Sequence, residues 1–81
     1  MTTRKLNGAT VRVVREALGI TQHDLAARAG LSQGALSHIE SGKHGTTAET
    51  NRKLAEGMGV PLESITYPVG APEPEPAEAI A

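Results

Sequence analysis

Only three residues, Gly30, Leu31 and Ser32, separate two segments whose apolar residues repeat at helical spacing, "TQHDLAARA" before them and "QGALSHIE" after them. One uninterrupted helix is disfavoured, because an interior glycine costs about 1 kcal/mol relative to alanine and a second glycine follows at Gly34. A three-residue link containing glycine instead sets two helices at a sharp crossing. Gly30 can take the positive φ that ends the first of them, having no Cβ to clash. Ala26 is small enough to let the two helices approach closely. Leu36 and Ile39 then anchor the second helix to a core, which turns its other side outward.

The rest of the chain must supply that core without large side chains. Its 81 residues make one small domain, with no Cys, Trp or Phe and a single aromatic residue, Tyr67. The core is therefore aliphatic and thin, and association is a common supplement at this size. Without Cys there is no disulfide framework and no thiolate metal site. No apolar run reaches the ~18 residues of a membrane helix, and the N-terminus "MTTRKLNGAT" has no secretory apolar region. A cytoplasmic, nucleoid-associated protein is expected.

The spacing predicts five helices and no strand, an all-α compact bundle. The first spans about 10–18, with Val11, Val14 and Leu18 on one face and Gly19 at its end. The second is capped by Thr21 and buries Leu25, Ala26 and Ala29. The third is capped by Ser32 and ends near Gly42; the fourth runs from about 47 to 57, with Leu54, Ala55 and Met58 apolar. Pro61 suits the first turn of a short fifth helix over 62–65. Residues 1–9 are expected to be a flexible arm and 10–67 the folded domain. Residues 68–81, "PVGAPEPEPAEAIA", are expected to be a disordered acidic tail.

Charge divides along the same boundary. The net −1 combines a body of +2 (residues 1–67) with a tail of −3. A mildly basic body suits nucleic acid, but placement matters more than the sum. The outward face of the third helix carries Gln33, Gly34, Ser37 and His38, hydrogen-bonding groups suited to base edges in the major groove. Gln makes a bidentate contact to adenine, Ser accepts several bases, and Gly34 lets backbone come close to DNA.

The stretch "REALGITQHDLAARAGLSQGALSHIESGK", Arg15–Lys43, resembles the phage-repressor-like helix-turn-helix family, the Cro/repressor or XRE type, and the likeness continues through "KLAEGMGVPLESI". The resemblance implies a five-helix lambda-repressor-like domain that binds a two-fold operator as a homodimer. It places Gln33, Gly34, Ser37 and His38 at base-reading positions. Gln22 would touch a phosphate and brace Gln33, and Lys43 with its "GKHG" loop, including His44, would contact phosphate. Arg15 and Glu40 would form a partly buried structural ion pair. Arg12 is a further expected phosphate contact. Two positions depart from the family pattern: Asn51, where a bulky apolar residue is usual, and Gly57, where Ala is usual. Both are expected to weaken the fourth helix.

Val60, Leu62, Ile65 and Tyr67 are left over once the core is filled and are expected to form the dimer interface. The overall expectation is a sequence-specific DNA-binding transcriptional regulator, a repressor, needing no cofactor. The alternative is an antitoxin or adaptor that chiefly binds a partner protein, with the acidic tail or the fourth helix as its contact. Catalysis finds no Cys nucleophile and no paired carboxylates in a plausible cleft. Metal binding is equally unsupported: His23, His38 and His44 are 15 and 6 residues apart, not the i, i+4 pair of a helical zinc site.

Overall fold

The computed structural model describes residues 4–43 and 45–68. Their order is strand β1 (Arg4–Leu6), helices α1 (Gly8–Ala17), α2 (Gln22–Ala29), α3 (Gln33–Glu40) and α4 (Ala48–Met58), a 3-10 turn (Leu62–Ser64), and strand β2 (Thr66–Pro68). Each α-helix begins where a side-chain oxygen meets an otherwise unpaired backbone N–H. Asn7, Thr21, Ser32 and Thr47 accept from Thr10, Asp24, Ala35 and Thr50 at 3.2, 3.0, 3.1 and 3.1 Å. Helix α2 ends at Gly30, whose φ of 69° is the left-handed conformation anticipated there. The Leu31 N–H then closes the end by donating to the Ala26 carbonyl at 2.8 Å.

The apolar faces meet in one cluster in which Val11, Leu25, Leu36, Leu54 and Ile65 are completely buried. Helix α2 packs on both α3 and α4, and α1 packs on α3. Leu25, Ala26 and Ala29 face inward from α2, and Leu36 and Ile39 from α3. The first helix differs from its predicted stripe. Leu18 caps its end and is 49% exposed, while Val11 and Arg15 supply the buried face.

That buried arginine is a structural tie. Arg15 donates from Nε to Glu40 Oε2 at 2.8 Å and from Nη2 to Glu40 Oε1 at 3.1 Å, and both residues are only 8% exposed. Its Nη1 donates to the Ile20 carbonyl at 2.9 Å, so one guanidinium joins α1, the α1–α2 turn and the end of α3. The hydrogen bond to Glu40 outweighs burial and raises Arg15 above its ordinary range. A raised folded-state value contributes stability that is present below the unfolded value, so it is present at neutral pH and is lost as the pH rises into strong alkali.

Three expectations need correction. The arm is not wholly flexible: β1 pairs antiparallel with β2, Arg4 opposite Pro68 and Leu6 opposite Thr66. Arg4 holds the pair by donating to Thr66 Oγ1 at 2.7 Å and to the Thr66 carbonyl at 3.0 Å. The fifth helix is only the 3-10 turn Leu62–Ser64, because the chain must leave it at once to run alongside β1. The helices also sit beside a small sheet, so the fold is predominantly helical and not all-α. Of the expected tail, Pro68 lies in β2, and 69–81 lie outside the described residues.

Asn51 and Gly57, the two departures from the family pattern, both lie where α4 packs into the domain. Asn51 is buried with its Oδ1 accepting from the Thr46 hydroxyl. A Cβ on Gly57 would stand 3.0 Å from Leu25 Cδ1 and 3.2 Å from Arg28 Cβ, so α4 packs closely on α2 at this position. Gly8 is tighter still: a Cβ there would fall 2.0 Å from the backbone oxygen of Ile39, which cannot yield.

Two stability predictions follow from this packing. Gly8→Ala must push α1 off α3, costing about 1–3 kcal/mol; thermal denaturation should show Tm falling by roughly 4–8 °C per kcal/mol. Arg15→Met strands a buried carboxylate and should cost about 3–5 kcal/mol in urea unfolding at neutral pH, whereas a loss below ~1 kcal/mol would mean the pair is merely a surface contact.

Candidate nucleic-acid interface

Helix α3 is half scaffold and half surface. Leu36, Ile39 and Glu40 are buried, while Gln33, Gly34, Ser37 and His38 are exposed. Helical periodicity sets Gly34, Ser37 and His38 away from Leu36 and Ile39, while Gln33 and Glu40, seven residues apart, lie along the same border between the two sides. Gly34 has nothing within 4 Å of where a Cβ would stand, so the backbone there is open to approach.

The exposed face is tied to the buried ion pair. Gln22, the first residue of α2, donates from Nε2 to Glu40 Oε1 at 3.3 Å, and Gln33 donates from Nε2 to Gln22 Oε1 at 3.4 Å. A chain of contacts thus leads from Arg15 through Glu40 and Gln22 to Gln33. Beside it lies a groove of about 260 Å³ between α1 and α3, lined by Arg12, Arg15, Glu16, Gln22, Ser37, Glu40 and Ser41. Its rim is polar and its floor is the ion pair.

The remaining site residues lie around this face. Arg12 is exposed, with Nε 3.5 Å from Glu16 Oε2 one turn along the same helix. Lys43 is exposed just beyond α3, and its backbone N–H donates to the His38 carbonyl at 2.9 Å. His44 lies outside the described residues. Ser41 was missed in the sequence, although its position one turn after Ser37 on the same side was a readable signal.

The expected dimer patch changes membership. Val60, Leu62 and Tyr67 are half-buried and retain some surface. Ile65 is completely buried within this chain's own core and has no surface to offer a partner. Among the described residues no three His, Asp or Glu side chains converge as metal ligands, and no helix is long and apolar enough to cross a membrane.

Known proteins share this architecture. The helix-turn-helix family model matches residues 11–65. The chain is 38% identical over 64 residues to the HTH-type transcriptional repressor RghR of Bacillus subtilis, covering 78% of this chain and 47% of RghR. It is 37% identical over 68 residues to the HTH-type transcriptional regulator y4dJ of Sinorhizobium fredii, covering 84% of this chain and 88% of y4dJ. The chain therefore spans about half the length of RghR but most of y4dJ.

Among solved structures it resembles the restriction-modification controller protein C.AhdI of Aeromonas hydrophila. The TM-score is 0.69 at 26% identity, covering 70% of this chain and 86% of the other. It also resembles the DNA-binding domain of the P22 C2 repressor, with a TM-score of 0.68 at 26% identity, covering 72% and 76%. The outward polar helix, its glycine corner and these matches agree: the chain belongs to the phage-repressor-like, XRE-type helix-turn-helix family of DNA-binding transcriptional regulators.

Proposed function

We propose that this chain is a sequence-specific transcriptional repressor that binds a two-fold operator as a homodimer, with α3 in the major groove. The observation that carries the reading is the exposed polar face of α3 rigidly backed by a buried ion pair. Gln33 is the principal base reader, because its amide offers both a donor and an acceptor to adenine. Ser37 and His38 read beside it, and Gly34 admits close backbone approach.

Phosphate contacts set the register and base contacts the sequence. Gln22, Arg12 and Lys43 border the face and supply the former, with His44 as a further phosphate contact. Arg12 meets the strand at the cost of its weak contact with Glu16, an exposed pair worth little to stability. That RghR and the P22 protein are repressors supports the direction of regulation. For dimerisation, the reading rests on Val60, Leu62 and Tyr67 as the apolar remainder near the C-terminal end of the domain.

Selection of bound duplexes from a random library tests the reading. The expected site has two-fold symmetry, with half-site centres roughly 34–36 Å apart. Affinity for it should fall linearly in log K against log salt, and Gln33→Ala should remove the base preference at one position in each half-site. Binding that ignores sequence and barely responds to salt would favour the adaptor alternative.

The dimer is tested separately. Leu62→Glu is expected to give a monomer by analytical ultracentrifugation and to weaken operator binding at least tenfold, an estimate of about 1.4 kcal/mol per decade. A monomeric variant with unchanged operator affinity would remove Leu62 from the interface.

A further inference from the structure

We infer that Glu40, a buried residue that cannot touch DNA, determines which base Gln33 prefers by fixing the orientation of two amides in sequence. The inference deepens the base-reading role proposed above and rests on it. Glu40 Oε1 lies 3.3 Å from Gln22 Nε2, and Gln22 Oε1 lies 3.4 Å from Gln33 Nε2. An ionised carboxylate is acceptor-only, so only the NH₂ end of Gln22 can face it. Both Glu40 oxygens accept from the Arg15 guanidinium in a bidentate pair.

The consequence passes outward. With its NH₂ turned to Glu40, Gln22 presents its oxygen to Gln33, and an oxygen accepts only from the NH₂ end of the next amide. Gln33 therefore spends one N–H on Gln22 and keeps one N–H and its Oε1 for the groove. That donor–acceptor pair matches adenine, whose N7 accepts and whose N6 donates. Against guanine the same oxygen meets O6, another acceptor, and is repelled. In the opposite orientation NH₂ faces the adenine N6 donor and Oε1 faces N7, so adenine loses both matches, whereas guanine, with two acceptors, merely exchanges one match for another.

Both links are long for hydrogen bonds, so the relay biases the amides and does not lock them. The expected effect is the worth of about one net hydrogen bond, close to fivefold. Glu40 is accordingly a positioning residue for specificity as well as a structural one. Glu40→Gln separates the two roles because an amide carries a donor and an acceptor and no longer dictates which end of Gln22 faces it.

The test compares two duplexes: the sequence selected by the wild-type chain, and its A-to-G counterpart at the position whose preference Gln33→Ala abolishes. Wild type should select adenine there. In Glu40→Gln the A-over-G affinity ratio should fall about fivefold. Loss of folded protein lowers both affinities alike and leaves the ratio untouched, and a shift of α3 caused by the weakened ion pair would persist in the Gln22→Met background, where the relay is absent. Gln22→Met should lower the ratio similarly, and Glu40→Gln added to Gln22→Met should lower it no further, since the relay is already cut.

Three results would overturn the inference: guanine selected at that position, a ratio unchanged in Glu40→Gln although Gln33→Ala abolishes the preference, or an undiminished Glu40 effect in the Gln22→Met background. If Gln33→Ala changes no position at all, the base-reading assignment itself fails and the relay falls with it.

Discussion

The guanidinium of Arg15 holds three parts of the chain at once, and the geometry of the reading surface follows from where it sits. Two of its nitrogens meet Glu40 at the end of α3 and a third meets the Ile20 carbonyl in the turn before α2. Apolar burial brings helices together but has no direction. A core without Phe or Trp, filled largely by Leu, Ile, Val and Ala, leaves the rotation of each helix weakly specified. A bidentate ion pair fixes distance and angle together. Burying both charges costs several kcal/mol per ion, offset only when the remaining donors and acceptors find partners. Ile20 and Gln22 provide them, and no buried side-chain nitrogen or oxygen among the described residues lacks one.

What could be read from the chain beforehand was the local chemistry of helix ends. Thr21, Ser32 and Thr47 cap helices because a short side-chain oxygen beside free N–H groups leaves few other solutions. Gly30 stops α2 for an equally local reason, a positive φ. The exposed face of α3 was legible through periodicity alone, since Leu36 and Ile39 mark the inward side and therefore the outward one.

Long-range closure was not legible. Three-residue strands such as β1 and β2 are too short to show alternation, and they exist because Arg4 and Leu6 find Thr66 and the core across the whole domain. The same limit explains Leu18, Asn51 and Ile65. Leu18 fits a helical stripe but falls at the helix end, outside the packed turn. Asn51 reads as a polar intrusion until Thr46 is seen against its oxygen. Ile65 reads as a spare apolar residue at the end of a short fifth helix, yet the chain turns back there and the Asn7 N–H donates to its carbonyl at 2.8 Å, drawing it inside.

Glycine shows how one residue type divides between building the domain and using it. Gly8 is required because the Ile39 backbone occupies the space a methyl would fill, Gly57 lies close against side chains of α2, and Gly34 faces nothing. The close approach at Gly8 presses on the backbone of Ile39, beside Glu40, so α3 is secured near its C-terminal end by packing and charge together. Its other end is set by Gly30 and the Ser32 cap. Held at both ends and along Leu36 and Ile39, α3 needs nothing structural from Gln33, Gly34 or Ser37. Exposed substitutions away from caps and buried networks usually move stability by less than about 0.5 kcal/mol. The outward residues are therefore open to change without loss of the fold, with one restriction. Gln33 is joined to the buried pair through Gln22, so the reading position nearest the start of α3 is the one whose orientation the interior still governs.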